Sequence, residues 1–126
     1  GRKMVHGQLL ALCPHDGERF MLAQATWLMQ ESKGGLIAGV RALPGLPTAI
    51  CARQVDLAGE SSEIYQRAFI LPALQSVGAE QSLVVPPGWF KPGRTVEIFT
   101  DGAWRVRMKH ILDVGPDFER VSFEIC

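Results

Sequence analysis

Apolar residues recur at every second position through most of this chain, and no stretch sustains the 3.6-residue period of a helix. In "FMLAQATWLM" the residues Met21, Ala23, Ala25, Trp27 and Met29 fall on one face of an extended strand. In "LIAGVRAL" Leu36, Ala38, Val40 and Ala42 do the same. A two-residue turn at Lys33-Gly34 then sets Trp27 opposite Val40 and Met29 opposite Ala38, with both pairs buried. Gly39 falls against Leu28, where a strand glycine leaves room for close approach.

The same period continues on both sides of this hairpin. Before it, "MVHGQLLAL" reads as a strand closed by "CPHDGE", with an Asp16-Gly17 turn signal. After it, "ALPGLP" turns the chain into "TAICARQV". The polar stretch 56–66, "DLAGESSEIYQ", reads as an exposed connection with room for one helical turn at most. Five further strands follow: "RAFILPA", "QSLVVP", "RTVEIFT", "AWRVRMKHILDV" and "FERVSFEI". Short strands with a turn signal roughly every ten residues belong to sandwiches and closed barrels. The expectation is an all-β fold: one small antiparallel β-barrel of the split-barrel kind, with little helix, spanning residues 1–126.

One hairpin fixes its own register. In "TVEIFTDGAWRVRMKH", a loop of Thr100, Asp101 and Gly102 pairs Phe99 with Ala103, Ile98 with Trp104 and Val96 with Val106. On the other face Glu97 meets Arg105 and Thr95 meets Arg107, so apolar faces apolar and acid faces base. A three-residue loop of this kind places Gly102 in the left-handed conformation.

Composition narrows the function classes. A chain of 126 residues with 47% apolar content forms a core without a metal or a disulfide. Thirteen basic and thirteen acidic side chains cancel, which argues against broad electrostatic binding of nucleic acid. Cys13, Cys51 and Cys126 are too scattered for a disulfide framework, and His6, His15 and His110 lie at no ligand-like interval. No metal and no cofactor are expected; Cys13 with His15 is at most half a metal site. No apolar run is long enough to span a bilayer and no signal peptide is present, so a cytoplasmic, reducing compartment is the default. The start at Gly1 reads as a cleavage remnant, and the whole as a fragment of a longer protein.

Nothing declares a reaction. The chain lacks G-x-S-x-G, H-E-x-x-H and G-x-x-x-x-G-K-[ST], and its nearest carboxylate pairs, Asp16 with Glu18 and Glu60 with Glu63, sit in polar turns. Two features bear on binding. Arg105, Arg107 and Lys109 alternate along one strand, so all three project from one side at intervals of about 6.8 Å. They form either a phosphate grip or a solvated face balanced by partners such as Glu97. In "VVPPGWFKPGR", Pro87-Gly88 and Pro92-Gly93 each suit a type II turn and hold Trp89 and Phe90 between them. Exposing both rings would leave a large apolar patch, so the expectation is that Trp89 plugs a barrel end.

The stretch "FMLAQATWLMQESKGGLIAGVRAL" resembles the central hairpin of bacterial PilZ-type β-barrel domains, in which a "V-x-W"-like strand turns through a Gly-bearing loop into "GVRF"-like residues; here these read "ATWL" and "AGVRAL". The resemblance implies a regulatory barrel and cyclic di-GMP as a ligand. In that family an R-x-x-x-R segment and a D/N-x-S-x-x-G strand hold the dinucleotide. Here Arg2 stands four residues before His6, and no D/N-x-S-x-x-G occurs. This fragment alone is therefore expected to bind the dinucleotide weakly or not at all. The reading is a non-catalytic regulatory domain that works through other domains of its protein, a partner protein or cyclic di-GMP, with Arg2, Trp89, Arg105, Arg107 and Lys109 as candidate ligand-binding residues. The alternative is a small barrel that stacks single-stranded nucleic acid on Trp89 or Trp104 beside Arg105, Arg107 and Lys109.

Overall fold

The computed structural model describes residues 5–13, 19–30, 32–56, 58–60 and 64–126. Nine strands run β1 (Leu9–Leu12), β2 (Met21–Gln30), β3 (Leu36–Ala42), β4 (Thr48–Gln54), β5 (Gln66–Leu71), β6 (Ser82–Val85), β7 (Thr95–Phe99), β8 (Ala103–Val114) and β9 (Glu119–Ile125). Among the described residues one turn of 3-10 helix, Gln75–Val77, is the only helix. None is long and apolar enough to cross a membrane.

β4 to β9 close into a six-stranded antiparallel barrel in the order β4-β5-β6-β9-β8-β7, with β7 paired back onto β4. Closure removes the edges that an open sheet would leave to aggregation. Leu83, Val85, Val96, Ile98, Val106 and Val121 fill its interior. β1, β2 and β3 form a separate three-stranded sheet. The hairpin expected inside the barrel therefore lies outside it. Period two reports a strand but not the sheet it joins, and that is the reason for the difference.

A second apolar cluster joins the two sheets. Leu22 of β2 and Leu43, just past the end of β3, pack with Leu71, Val84 and Phe118 of the barrel region. This explains why all four residues of β6 are buried: Leu83 and Val85 face the barrel interior, while Val84 faces the other cluster. Polar ties run beside it. Asp113 accepts from Arg41 at 2.6 Å and from Arg120 at 2.5 Å, and Gln24 donates to the Val114 carbonyl at 3.0 Å.

The β2–β3 register departs from the uninterrupted alternation. Trp27 pairs with Gly39 and Met29 with Ile37, while Ala25 pairs with Val40, because a β-bulge falls between Ala25 and Trp27. One extra residue carries the strand to its other face. Ala23 and Ala25 are fully buried, whereas Trp27 and Val40 are 47% and 45% exposed instead of forming a buried pair. The last pair of the hairpin is Gln30 with Leu36, and Gly34 between them takes φ 87°, in place of a two-residue turn at Lys33-Gly34.

The β7–β8 hairpin follows the expected register at every pair, from Thr95↔Arg107 to Phe99↔Ala103. Its turn differs: Gly102 is not among the glycines with positive φ, and a Cβ there would meet open space. Gly88 and Gly93 do take positive φ, 84° and 80°, as two type II turns require. Trp89 is 5% exposed and belongs to the barrel core, with Phe90 packed against it. Arg2, His15 and the Asp16-Gly17 turn lie outside the described residues, as does part of the 56–66 connection; of its described members, Asp56, Ala58, Gly59, Glu60, Ile64 and Gln66 are exposed and Tyr65 is half-buried.

Candidate functional site

The interior of the barrel is filled by its own side chains, so anything it binds meets its outer surface. On β4, β7 and β8 the residues that alternate with core positions point outward. Ile50 and Ala52 go in while Cys51 and Arg53 go out; Val96 and Ile98 go in while Glu97 and Phe99 project outward. Pairing then aligns Arg53, Glu97 and Arg105 in one row across three strands.

Glu97 is the centre of that row and is only 6% exposed, although it lies on the outer face. Its Oε1 accepts from Arg53 NH2 at 2.8 Å and from the Tyr65 hydroxyl at 2.7 Å, and its Oε2 accepts from Arg105 Nε at 3.2 Å. Arg53 also lies over the Tyr65 ring, 4.3 Å from its centroid. Two guanidiniums thus share one carboxylate, which fixes both planes. The Tyr65 phenol is pushed above its usual range, chiefly by the hydrogen bond it donates to Glu97, with burial and the charge of Glu97 adding to the effect. Arg53 pulls the other way.

The three alternating cations do share this face, and each has an acidic neighbour. Arg105 holds Glu97 and donates to the Gly59 carbonyl at 3.1 Å. Arg107 stands 3.7 Å from Glu124, and Lys109 stands 3.8 Å from Glu80, both at exposed positions where an ion pair is worth little. A cleft of about 750 Å³ opens beside them, between Asp56, Gly59 and Glu60 on one side and Lys91, Arg94 and Thr95 on the other. Trp89 is buried away from this face, so its ring offers no stacking surface. Trp104 is half-buried against the core and donates from Nε1 to Thr100 at 3.3 Å.

Arg53, Tyr65, Arg67 and Phe99 escaped the reading of the sequence. The alternation of "AICARQ" already puts Cys51 and Arg53 on one face, and "RTVEIF" puts Glu97 and Phe99 on one face. What joins them is the β4–β7 pairing, a contact across more than forty residues that no local pattern reveals.

These features define a small closed antiparallel barrel with a filled interior and a charged, partly aromatic outer face. Residues 50–126 match the model of the FimW C-terminal beta-barrel domain, and they take in all of the closed barrel but Thr48 and Ala49, the first two residues of β4. The chain belongs to that family. PilZ-type is a coarser description of the same kind of barrel, and the hairpin that suggested it lies ahead of the matched residues. The chain is also similar to the "Cyclic-di-GMP receptor FimW" of Pseudomonas aeruginosa, with 29% identity over 100 residues. That stretch is 79% of this chain and 16% of the relative. No solved structure matches.

Proposed function

We propose that this chain is a non-catalytic regulatory barrel of cyclic di-GMP signalling. It meets the dinucleotide weakly on its outer face and acts through contacts with other domains of its protein or with a partner. The observation that carries this reading is the agreement between the family match and the closed barrel, together with a relative named as a receptor for that dinucleotide. The filled interior supports an outer-face site, and Arg105, Arg107 and Lys109 are its candidate phosphate donors. Weak affinity follows from the sequence, which has neither R-x-x-x-R at Arg2 nor D/N-x-S-x-x-G.

The test is a calorimetric titration with cyclic di-GMP, and with cyclic di-AMP and GTP at matched ionic strength. Saturable binding of cyclic di-GMP, weaker than micromolar and tighter than for the other two, is expected. Equal or tighter binding of cyclic di-AMP or GTP overturns the reading, as does no saturation at all.

A further inference from the structure

Phe99 stands 48% exposed on the outer face of the barrel. Its cross-strand neighbours are both small and exposed, Cys51 on β4 and Ala103 on β8. The ring thus rises clear of the two small side chains beside it in its row. Tyr65 packs against it in a T-shaped contact, with centroids 6.0 Å apart and an interplanar angle of 62°, and holds it in place.

Guanidiniums surround that ring. Arg67 on β5 pairs with Cys51 on the far side from Phe99, so Arg67 and Phe99 lie two strand spacings apart, about 9.6 Å. Arg67 is exposed and makes no ion pair among the described residues. Arg53 and Arg105 stand one row further along the strands, about 6.8 Å away, and the buried Glu97 fixes their planes.

We propose that the outer face along Arg67, Cys51 and Phe99 is a purine-nucleotide site. The base stacks on the exposed side of Phe99, and the phosphate lies against Arg67. A flat base fits a ring flanked by small side chains, and a phosphate fits a planar guanidinium. A nucleoside monophosphate spans the separation from ring to cation. The choice of cyclic di-GMP among such nucleotides rests on the function proposed above; the site itself rests on this geometry.

Cys51 lies between Arg67 and Phe99 in one cross-strand row, so its thiol reports occupancy directly. Alkylation by iodoacetamide is followed by peptide mass spectrometry at constant ionic strength, with GMP or cyclic di-GMP raised to millimolar concentration and Cys13 as internal reference. Cys51 should react about tenfold more slowly when the nucleotide is at ten times its Kd, with Cys13 unchanged. Phe99→Ala and Arg67→Ala should each remove the protection while leaving the circular dichroism spectrum unchanged. Unchanged Cys51 reactivity with both nucleotides overturns the site. If cyclic di-GMP shifts amide resonances elsewhere and leaves Cys51 unprotected, the site fails and the signalling role stands. If GMP protects Cys51 and cyclic di-GMP does not, the site stands and the cyclic di-GMP role fails.

Discussion

The indole of Trp27 occupies the space that a side chain on Gly39 would need, directly across the β2–β3 hairpin. A Cβ built on Gly39 collides with the indole nitrogen and its neighbours. Because Trp27 is half exposed, its ring can swing away at moderate cost. Gly39→Ala should therefore cost about 1 kcal/mol in the parent, the usual scale for a surface position with a steric conflict. In a Trp27→Ala background the same change should be neutral or stabilising, since alanine is entropically easier to order than glycine. A double-mutant cycle by urea unfolding measures the difference. Additive effects would show that the ring and the glycine do not meet.

Three turn glycines separate backbone need from mere flexibility. Gly88 and Gly93 have positive φ and open space around the site of a Cβ, so the penalty for alanine there is purely conformational. Each Gly→Ala change should cost about 1 kcal/mol. Gly102 has no positive φ, and Gly102→Ala should stay within about 0.5 kcal/mol of the parent, as should Gly102→Asn. Midpoints of denaturant titration decide, and a Gly102→Ala loss as large as that of Gly93→Ala would place Gly102 in the left-handed region after all.

The contrast between the two hairpins shows where the sequence is informative. β7 and β8 carry two independent signals, apolar partners on one face and Glu97 against Arg105 on the other, and only one register satisfies both. β2 and β3 carry apolar residues alone. A bulge at Thr26 leaves that pattern intact in the sequence while exchanging its faces in space, so Trp27 looked buried. Trp89 was legible because two proline-glycine turns restrict where its loop can go. Glu97 was legible as a partner of Arg105, but not as a buried group. Its burial comes from Arg53 and Tyr65, which reach it through the β4–β7 pairing and the 56–66 connection. The candidate site on the outer face is built almost wholly from such distant pairings.

Tyr65 is the single tyrosine of the chain, so its ionisation can be read alone in the near-ultraviolet. Its titration midpoint should lie above the ordinary value of 10.0, because Glu97 holds the protonated phenol as a hydrogen-bond donor. Replacing the carboxylate in Glu97→Gln removes the negative charge and leaves Arg53 beside the ring. The midpoint should then fall. Stability follows with a definite sign: the folded state holds this proton more tightly than the unfolded chain does. The contribution is complete below pH 10 and is lost as the pH rises through the folded-state value. A midpoint at or below 10 in the parent, or one unmoved by Glu97→Gln, would break the link between the two groups.

Trp89 offers the largest single effect on stability. Its ring is 5% exposed in the barrel core, and the loop that carries it is tied down at several points. Glu119 accepts from the Gly88 and Phe90 amides, both at 2.8 Å, and Arg94 donates to the Trp89 carbonyl at 2.9 Å. These bonds hold the backbone on either side of the ring, so the loop cannot readily collapse into the space left by truncation. A cavity that cannot close is the costly kind. Trp89→Ala should therefore lose about 3–5 kcal/mol, a large share of the total for a domain of this size. Glu119→Gln keeps the acceptor for one amide and should lose much less, about 1 kcal/mol. Urea unfolding of the two variants measures both. A Trp89→Ala protein within about 0.5 kcal/mol of the parent would move the ring to the surface and make the loop from Pro86 to Gly93 the leading binding site in place of the outer face at Phe99.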